Sequence, residues 1–386
     1  MCIRGKKRLF EYLYPMPKAI VSVTNDLYTD NRVHKVCTFL HQQGYDVLLV
    51  GRKRKNSLPL RKRVYKIKRM KLLFETGAKF YAAYNIRLFL LLLFRKADVL
   101  VANDLDTLLA NNLANKFKRR ARLVYDSHEY FTEVPELTSR PKVQKIWLRI
   151  ERLIFPKLES IYTVNDSIAK IYSDLYNKEI KVVRNISPLW KAENLKSKKE
   201  LGIPENENLI ILQGAGINVD RGAEEAVDAM QKIDGVLMIV GDGDVVPQLK
   251  ERVKKLQLEK KVIFFGKKPY AVMMNYTYYA SIGLTLDKAT NMNYQLSLPN
   301  KVFDYMHTQT AVVATNIKEV ANVVRTNDIG EIIEEFTVEN LANTINKLFA
   351  DKTRLEECIA NCKKASKIEN WENETRVLNE IYSKVK

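Results

Sequence analysis

An α/β chain folded as two doubly wound domains is predicted by three features of this 386-residue sequence. Apolar runs of strand length alternate with segments of helical period in two separate series, the pattern of parallel sheets covered by helices. Between the series, residues 191–208 turn polar, with Pro188, Gly202 and Pro204 as punctuation, which predicts an interdomain linker. Within each series the strands stop at polar clusters, and open parallel sheets collect ligands beyond the carboxyl ends of their strands. The expected division is 1–187 and 188–366. An apolar fraction of 46% with 14 glycines and 11 prolines describes a folded globular protein.

In the first series, Lys18 to Val23 reads as a strand ending in Thr24-Asn25-Asp26, and the spacing from Arg32 to Gln43 predicts a helix closed by Gly44. Tyr45 to Val50 is a second buried strand, so the chain begins with a βαβ unit. A basic segment with Pro59 inside it follows, then a helix over 76–94, a strand over 98–102 stopping at Asn103-Asp104-Leu105-Asp106, and a helix over 108–118. Arg122 to Tyr125 is a strand stopping at Asp126-Ser127-His128-Glu129, which brings Asn25, Asp26, Asp104, Asp106 and His128 to one rim. Helix, strand, helix and strand follow over 143–155, 161–164, 167–175 and 181–183.

The second series has strands over 209–212, 236–240, 262–265 and 281–286, with helices over 223–232 and 245–256 and another ending at Tyr279. Gln213-Gly214-Ala215-Gly216 opens the first loop, and Arg221-Gly222 closes it. Glycines there let backbone approach a phosphate, and Arg221 adds a charge-assisted donor. Gly241-Asp242-Gly243 reads as a tight turn. Ser297-Leu298-Pro299-Asn300-Lys301-Val302-Phe303-Asp304-Tyr305 starts a helix. Its first turn offers free N–H groups and the Lys301 ammonium to a diphosphate, with Asp304 roughly 6 Å further along the axis at ribose distance. An ordinary amphipathic helix, with Val302, Phe303 and Met306 in the core, fits the same local pattern.

Pro-Asn-Lys-x-Phe-Asp-Tyr followed by Ala311-Val-Val-Ala-Thr315 resembles the donor-site segment of GT-B glycosyltransferases of the GT4 type, and the loop through Arg221 resembles the same family's phosphate loop. The resemblance implies two Rossmann-like domains facing a central cleft, with the helix over 367–386 packing back on the first domain. It implies a retaining, metal-independent hexosyltransferase whose co-substrate is a nucleotide-diphosphate sugar, with no other cofactor. Gly214, Gly216, Arg221, Asn300, Lys301 and Asp304 would bind the donor, Asp304 through the ribose. His128 would be the catalytic histidine that meets the donor sugar, with Asn25, Asp26 and Asp104 on the acceptor side. Two positions depart from the family pattern: Ala215 stands where the first phosphate-loop cation belongs, and Leu296 where the first of two carboxylates belongs. Asn293, Tyr294, Gln295 and Ser297 are either sugar contacts or loop residues. His34, His41 and His307 fall inside helical patterns, where a satisfied or exposed histidine is expected. Asp104-Leu105-Asp106 has the look of a metal-binding D-x-D, but in the wrong half for that chemistry.

Charge is uneven. Through Ser187 there are 37 Lys and Arg against 17 Asp and Glu, a net +20, while the remainder is −1, giving the total of +19. Arg52 to Lys71 alone holds eleven basic residues and no acid. Such a face suits nucleic acid, an anionic membrane surface or a phosphorylated substrate. A nucleic-acid-binding protein would leave the nucleotide-shaped second half idle, so no nucleic-acid partner is expected. A dinucleotide-dependent oxidoreductase would need G-x-G-x-x-G after the first strand, where Thr24-Asn25-Asp26 stands. The apolar residues interleaved with the charges favour an anionic membrane surface, and hence a lipid-linked or cell-envelope saccharide as acceptor. No stretch of eighteen apolar residues and no signal-peptide pattern occurs, so the expected place is cytoplasmic, peripheral at the inner face of the membrane. Cys2, Cys37, Cys358 and Cys362 are expected as free thiols.

Overall fold

The computed structural model describes residues 16–28, 30–118, 121–205 and 208–383. Cys2 and the basic residues Arg4 to Arg8 lie outside them. The chain divides into two compact units, one of residues 1–184 with 375–386 and the other of residues 185–374.

The first unit is built on a seven-stranded parallel sheet of β1 (Lys18–Asp26), β2 (Asp46–Lys53), β3 (Lys66–Lys71), β4 (Val99–Asn103), β5 (Arg122–Ser127), β6 (Ser160–Thr163) and β7 (Lys181–Val182). Its strand order is β3-β2-β1-β4-β5-β6-β7, so the winding reverses between β1 and β4. The helices are α1 (Asn31–Gln42), α2 (Gly77–Leu93), α3 (Leu105–Lys118), α4 (Pro135–Thr138), α5 (Pro141–Ile154) and α6 (Asp166–Tyr176). Asp30 caps α1 through the Val33 N–H, and Asn165 caps α6 through that of Ile168, so Asn165 is structural. Ile20, Val50, Met70, Tyr84, Leu88 and Leu100 close the core under α2 and α3.

Two differences from the sequence reading bear on function. β1 runs on through Thr24 to Asp26, and the basic segment ends in β3, an edge strand in register with β2 from Leu48 opposite Lys66 to Lys53 opposite Lys71. Lysine and arginine on an edge strand discourage pairing with a further strand.

The second unit repeats the plan with six parallel strands: β8 (Leu209–Gly214), β9 (Val236–Gly241), β10 (Val262–Phe264), β11 (Ile282–Thr285), β12 (Ala311–Thr315) and β13 (Gly330–Ile333), in the order β10-β9-β8-β11-β12-β13. Here the winding reverses between β8 and β11. The polar stretch before β8 contains one helical turn, α7 (Lys198–Leu201), closed by a capping box of Ser197 and Glu200. The remaining helices are α8 (Ala223–Ala229), α9 (Val246–Lys255), α10 (Tyr270–Tyr279), α11 (Met292–Gln295), α12 (Lys301–His307), α13 (Lys318–Asn327), α14 (Val338–Ala350), α15 (Lys352–Ala365) and α16 (Trp371–Ser383). Tyr382 of α16 belongs to the first unit, where its ring lies edge-on to Tyr45. Cys37, Cys358 and Cys362 are buried free thiols.

Candidate active site

In the second unit the donor residues gather at the β8/β11 reversal. The loop after β8 is stitched to the turn after β9, because the Ile217 N–H donates to the Asp242 carbonyl at 3.0 Å and the Asp242 N–H to that of Gly214 at 3.3 Å. Gly241-Asp242-Gly243 is therefore structural. Gly222 holds a φ of +71°, and a Cβ there would lie 2.4 Å from that of Leu286, so no side chain fits. Gly216 has no comparably close neighbour, its nearest being Asn218 Nδ2 at 3.5 Å, and it stands exposed beside Ala215.

Arg221 points from this loop to Asp287, with Nη1 2.8 Å from Oδ2, and its guanidinium lies 4.2 Å from the centroid of the Tyr294 ring. Asp287 is 1% exposed, and its backbone carbonyl accepts from Thr315 Oγ1 at 2.6 Å. Burial pulls the Lys301 ammonium below its ordinary pKa; Asp287 opposes that shift and Arg221 adds to it. Arg221 thus pairs with one buried carboxylate, whose charge also reaches Lys301. No sequence motif marks Asp287. It follows β11 at the reversal, which was the one signal available.

The start of α12 departs from expectation. The Val302 and Phe303 N–H groups are already taken by the Pro299 and Asn300 carbonyls, at 3.2 and 3.0 Å, so the first turn offers a phosphate fewer free donors than predicted. Asp304 is 4% exposed rather than open along one face. Its Oδ1 accepts from Tyr270 at 2.7 Å and Ser187 at 3.2 Å, and its Oδ2 from Gln213 Nε2 at 3.2 Å. Burial and this carboxylate drive the Tyr270 hydroxyl to a higher pKa. Leu296 is buried, a core side chain where the family pattern has an acid. Asn300 is exposed. His307 Nε2 lies 2.7 Å from the Glu369 carbonyl, a structural contact.

In the first unit the β1/β4 reversal carries a second cluster. Arg32, 4% exposed, holds Asp126 through Nη2 at 2.7 Å and through Nε to both carboxylate oxygens, and its Nη1 donates to the Val183 carbonyl at 2.9 Å. His128 lies between two acids, with Nδ1 3.3 Å from Asp104 Oδ2, and Nε2 3.3 Å from Asp126 Oδ2 and 3.1 Å from Asn103 Oδ1. The Asp104 Oδ1 also accepts from the His128 N–H at 2.8 Å, with Asp104 itself held at φ +59°. Burial disfavours the imidazolium, but Asp104 and Asp126 outweigh it and raise the His128 pKa to about 9. Burial likewise opposes ionisation of Asp126, but Arg32 and His128 bring its pKa down to about 2. His128 is therefore an imidazolium at neutral pH, and its ring nitrogens already face acceptors. That geometry suits a fixed positive charge better than a general base.

Asp106 accepts from Thr24 Oγ1 at 2.5 Å, and burial together with Asp104 pushes its pKa up to about 8. The other rim residues serve the basic segment. Asp26 pairs with Arg69 at 3.3 Å and accepts from Ser57, while Asn25 Nδ2 donates to Asp30 at 3.1 Å. The structure thus joins Asp104 directly to His128 and gives Asn25 and Asp26 local partners. Arg32 escaped the sequence reading because it sits in a helical pattern where a surface charge is the usual expectation.

Two of these shifts fix a pH dependence with one sign. His128 has its folded pKa raised, so its contribution is fully present below about pH 6.5 and lost as pH rises through about 9. Asp106 also keeps its proton longer when folded, so its cost to stability grows from about pH 4 to about pH 8. Stability should fall between pH 6.5 and 8 by up to about 1.4 kcal/mol per pH unit for each proton retained. Urea denaturation across this range checks the slope, and Asp106→Asn should make it shallower.

Comparison with known proteins bears on the family and the fold. Residues 193–365 match the family described as Glycosyl transferases group 1, and residues 30–186 match Glycosyltransferase Family 4. N-acetyl-alpha-D-glucosaminyl L-malate synthase of Bacillus anthracis is 26% identical over 183 residues, a match spanning 46% of this chain and 46% of that relative. Among solved structures, sucrose-phosphate synthase of Thermosynechococcus elongatus superposes with a TM-score of 0.77 at 14% identity, over 96% of this chain and 99% of that one. Anabaena HepE in complex with UDP gives 0.71 at 14% identity, with the same coverage. The chain belongs to glycosyltransferase family 4, the glycosyl transferases group 1, and carries the GT-B fold.

Proposed function

We propose that this glycosyltransferase moves a sugar from a nucleotide-diphosphate sugar to an acceptor hydroxyl with retention at the anomeric carbon. The observation that carries the reading is the Arg221–Asp287 pair at the β8/β11 reversal, with Lys301 close enough to feel both charges, where the fold collects ligands. The donor diphosphate lies against them and beside exposed Gly216 and Asn300. The ribose hydroxyls compete with Tyr270 and Ser187 for Asp304. In the transfer step the acceptor oxygen bonds to the anomeric carbon as the bond from that carbon to the β-phosphate oxygen breaks. The nucleoside diphosphate leaves with the electron pair, and the acceptor proton passes to the departing phosphate. Arg221 and Lys301 stabilise the charge that builds there, without a metal or other cofactor. His128 contributes a fixed positive charge to the reaction, and Asp104 positions it.

The acceptor is a lipid-linked or cell-envelope saccharide met at an anionic membrane surface. This part of the reading is supported by Arg61, Lys62, Lys66, Lys68 and Lys71, all exposed in the basic segment. Arg63 and Arg69 have internal duties instead: Arg63 donates to Tyr65 and the Leu27 carbonyl, and Arg69 to Asp26 and the Leu58 carbonyl. Among the described residues no helix is long and apolar enough to cross a membrane.

Release of nucleoside diphosphate from UDP-, GDP- and ADP-sugars, followed by NMR of the anomeric configuration in the product, tests the reaction. Retention is expected, and an inverted product would overturn it. His128→Ala should keep nucleoside diphosphate affinity and lose turnover. Wild-type turnover should show no ionisation near pH 6.5 and decline as pH rises through about 9, where the imidazolium is lost. A profile rising through pH 6.5 would make His128 a base instead.

A further inference from the structure

At the amino-terminal ends of β1, β2 and β3, away from the reaction groups, a groove of about 910 Å³ opens between the sheet edge and the carboxyl-terminal half of α2. Its lining divides into two kinds of surface. Ile20, Leu48, Met70, Leu90, Leu91 and Phe94 form an apolar floor. Lys18, Lys66, Lys68, Arg87, Arg95 and Lys96 supply cations. The single lining acid, Asp46, is bound by Lys66 at 2.8 Å, and among the described residues no acidic side chain forms an ion pair with Lys18, Lys68 or Lys96.

The helix beside the groove adds an independent observation. Residues 86–94 of α2 and its cap are apolar except for Arg87, yet only part of this surface is covered. Ile86 is 60% exposed, Leu90 46% and Phe94 82%, and Phe117 of α3, in ring contact with Phe89, is 73% exposed. A helix apolar all round is normally buried, and a contiguous exposed apolar patch marks a contact surface.

We infer that this groove seats one anionic phospholipid, its phosphate among Lys18, Lys68 and Lys96 and an acyl chain along Leu90, Leu91 and Phe94, while the α2 face enters the bilayer around it. Charge complementarity selects this occupant, since a cation rim over an apolar floor matches a phosphate joined to hydrocarbon. Residues 1–15 carry Arg4, Lys6, Lys7 and Arg8 against Glu11, a charge of the same sign as the groove rim and so not complementary to it. The lipid is an anchor rather than a substrate. The groove lies at the starts of β1, β2 and β3, whereas the His128 cluster follows the carboxyl ends of β4 and β5 in the same parallel sheet, and the eight residues of β2 span roughly 26 Å.

The inference rests on the anionic-membrane reading but moves the contact from Arg61 and Lys62 of the basic segment to the α2 groove. Co-sedimentation with vesicles of phosphatidylcholine alone, and with phosphatidylglycerol added, separates the two. Lys18→Gln with Lys96→Gln, and separately Leu90→Ser with Phe94→Ser, should each reduce binding to the anionic vesicles at least tenfold. Both variants should retain wild-type melting temperature and nucleoside diphosphate affinity. Arg61→Gln with Lys62→Gln should weaken it by less. Dihexanoyl phosphatidylglycerol below its micelle concentration should stabilise the wild-type protein thermally, and glycerol 3-phosphate should not. Groove variants that bind like wild type while the loop variant fails would overturn the inference and leave the membrane reading standing. Indifference of the wild type to phosphatidylglycerol would overturn both, and equal stabilisation by glycerol 3-phosphate would make the groove a simple anion site.

Discussion

Arg32→Met is expected to cost about 3–5 kcal/mol of stability, the usual consequence of stranding one charge of a buried pair. Asp126 has no exposed surface, and its low pKa depends on the guanidinium and on His128, so loss of Arg32 leaves a carboxylate that water cannot reach. The melting temperature should fall by roughly 2–4 °C for each kcal/mol lost. Arg32→Met combined with Asp126→Asn should recover a large part of that loss, because neither charge is then stranded. The recovery distinguishes a broken ion pair from a packing defect. A single mutant within 1 kcal/mol of wild type would show that the pair does not hold the His128 cluster in place.

Asp304→Ala should weaken nucleoside diphosphate binding by about 1.5–3 kcal/mol, the worth of hydrogen bonds to a charged acceptor. The structure sharpens the control. Because Tyr270, Ser187 and Gln213 all donate to this carboxylate, its removal also leaves three donors without their partner. Tyr270→Phe therefore serves as the comparison, since it removes one of these bonds and keeps the carboxylate. Calorimetry should find Tyr270→Phe close to wild type in affinity and Asp304→Ala far weaker. Equal losses would assign Asp304 to local structure, and no loss in a folded Asp304→Ala protein would remove it from the site.

Much of the architecture was legible because buried parallel strands are nearly continuous apolar runs, as in Ile20 to Val23, Leu209 to Leu212 and Ala311 to Ala314. β3 was missed for the opposite reason. Lys-Ile-Lys-Arg-Met-Lys is an edge strand whose charges hide its alternation, and only Met70 is fully buried. The placement of His128 followed from its position after a strand, but its protonation state did not. That state depends on Asp104, adjacent in space and 24 residues away in sequence, and on Asp126 in its turn depending on Arg32, 94 residues away. Asp287 was invisible because a lone aspartate after a strand has no signature; its meaning comes from Arg221 and Lys301 arriving from two other elements. The α12 start shows the reverse error. Its sequence promised a row of free N–H groups, and tight turns back to Pro299 and Asn300 used two of them.

Calorimetric titration of UDP, GDP and ADP, with NAD as control, into the wild-type protein, Arg221→Gln and Lys301→Gln tests most directly whether the β8/β11 reversal is a nucleotide-diphosphate site. The account predicts that at least one nucleoside diphosphate binds the wild type, that NAD does not, and that each glutamine variant loses at least tenfold in affinity while remaining folded by circular dichroism. Binding of NAD alone, or nucleoside diphosphate affinity unchanged in both variants, would contradict it.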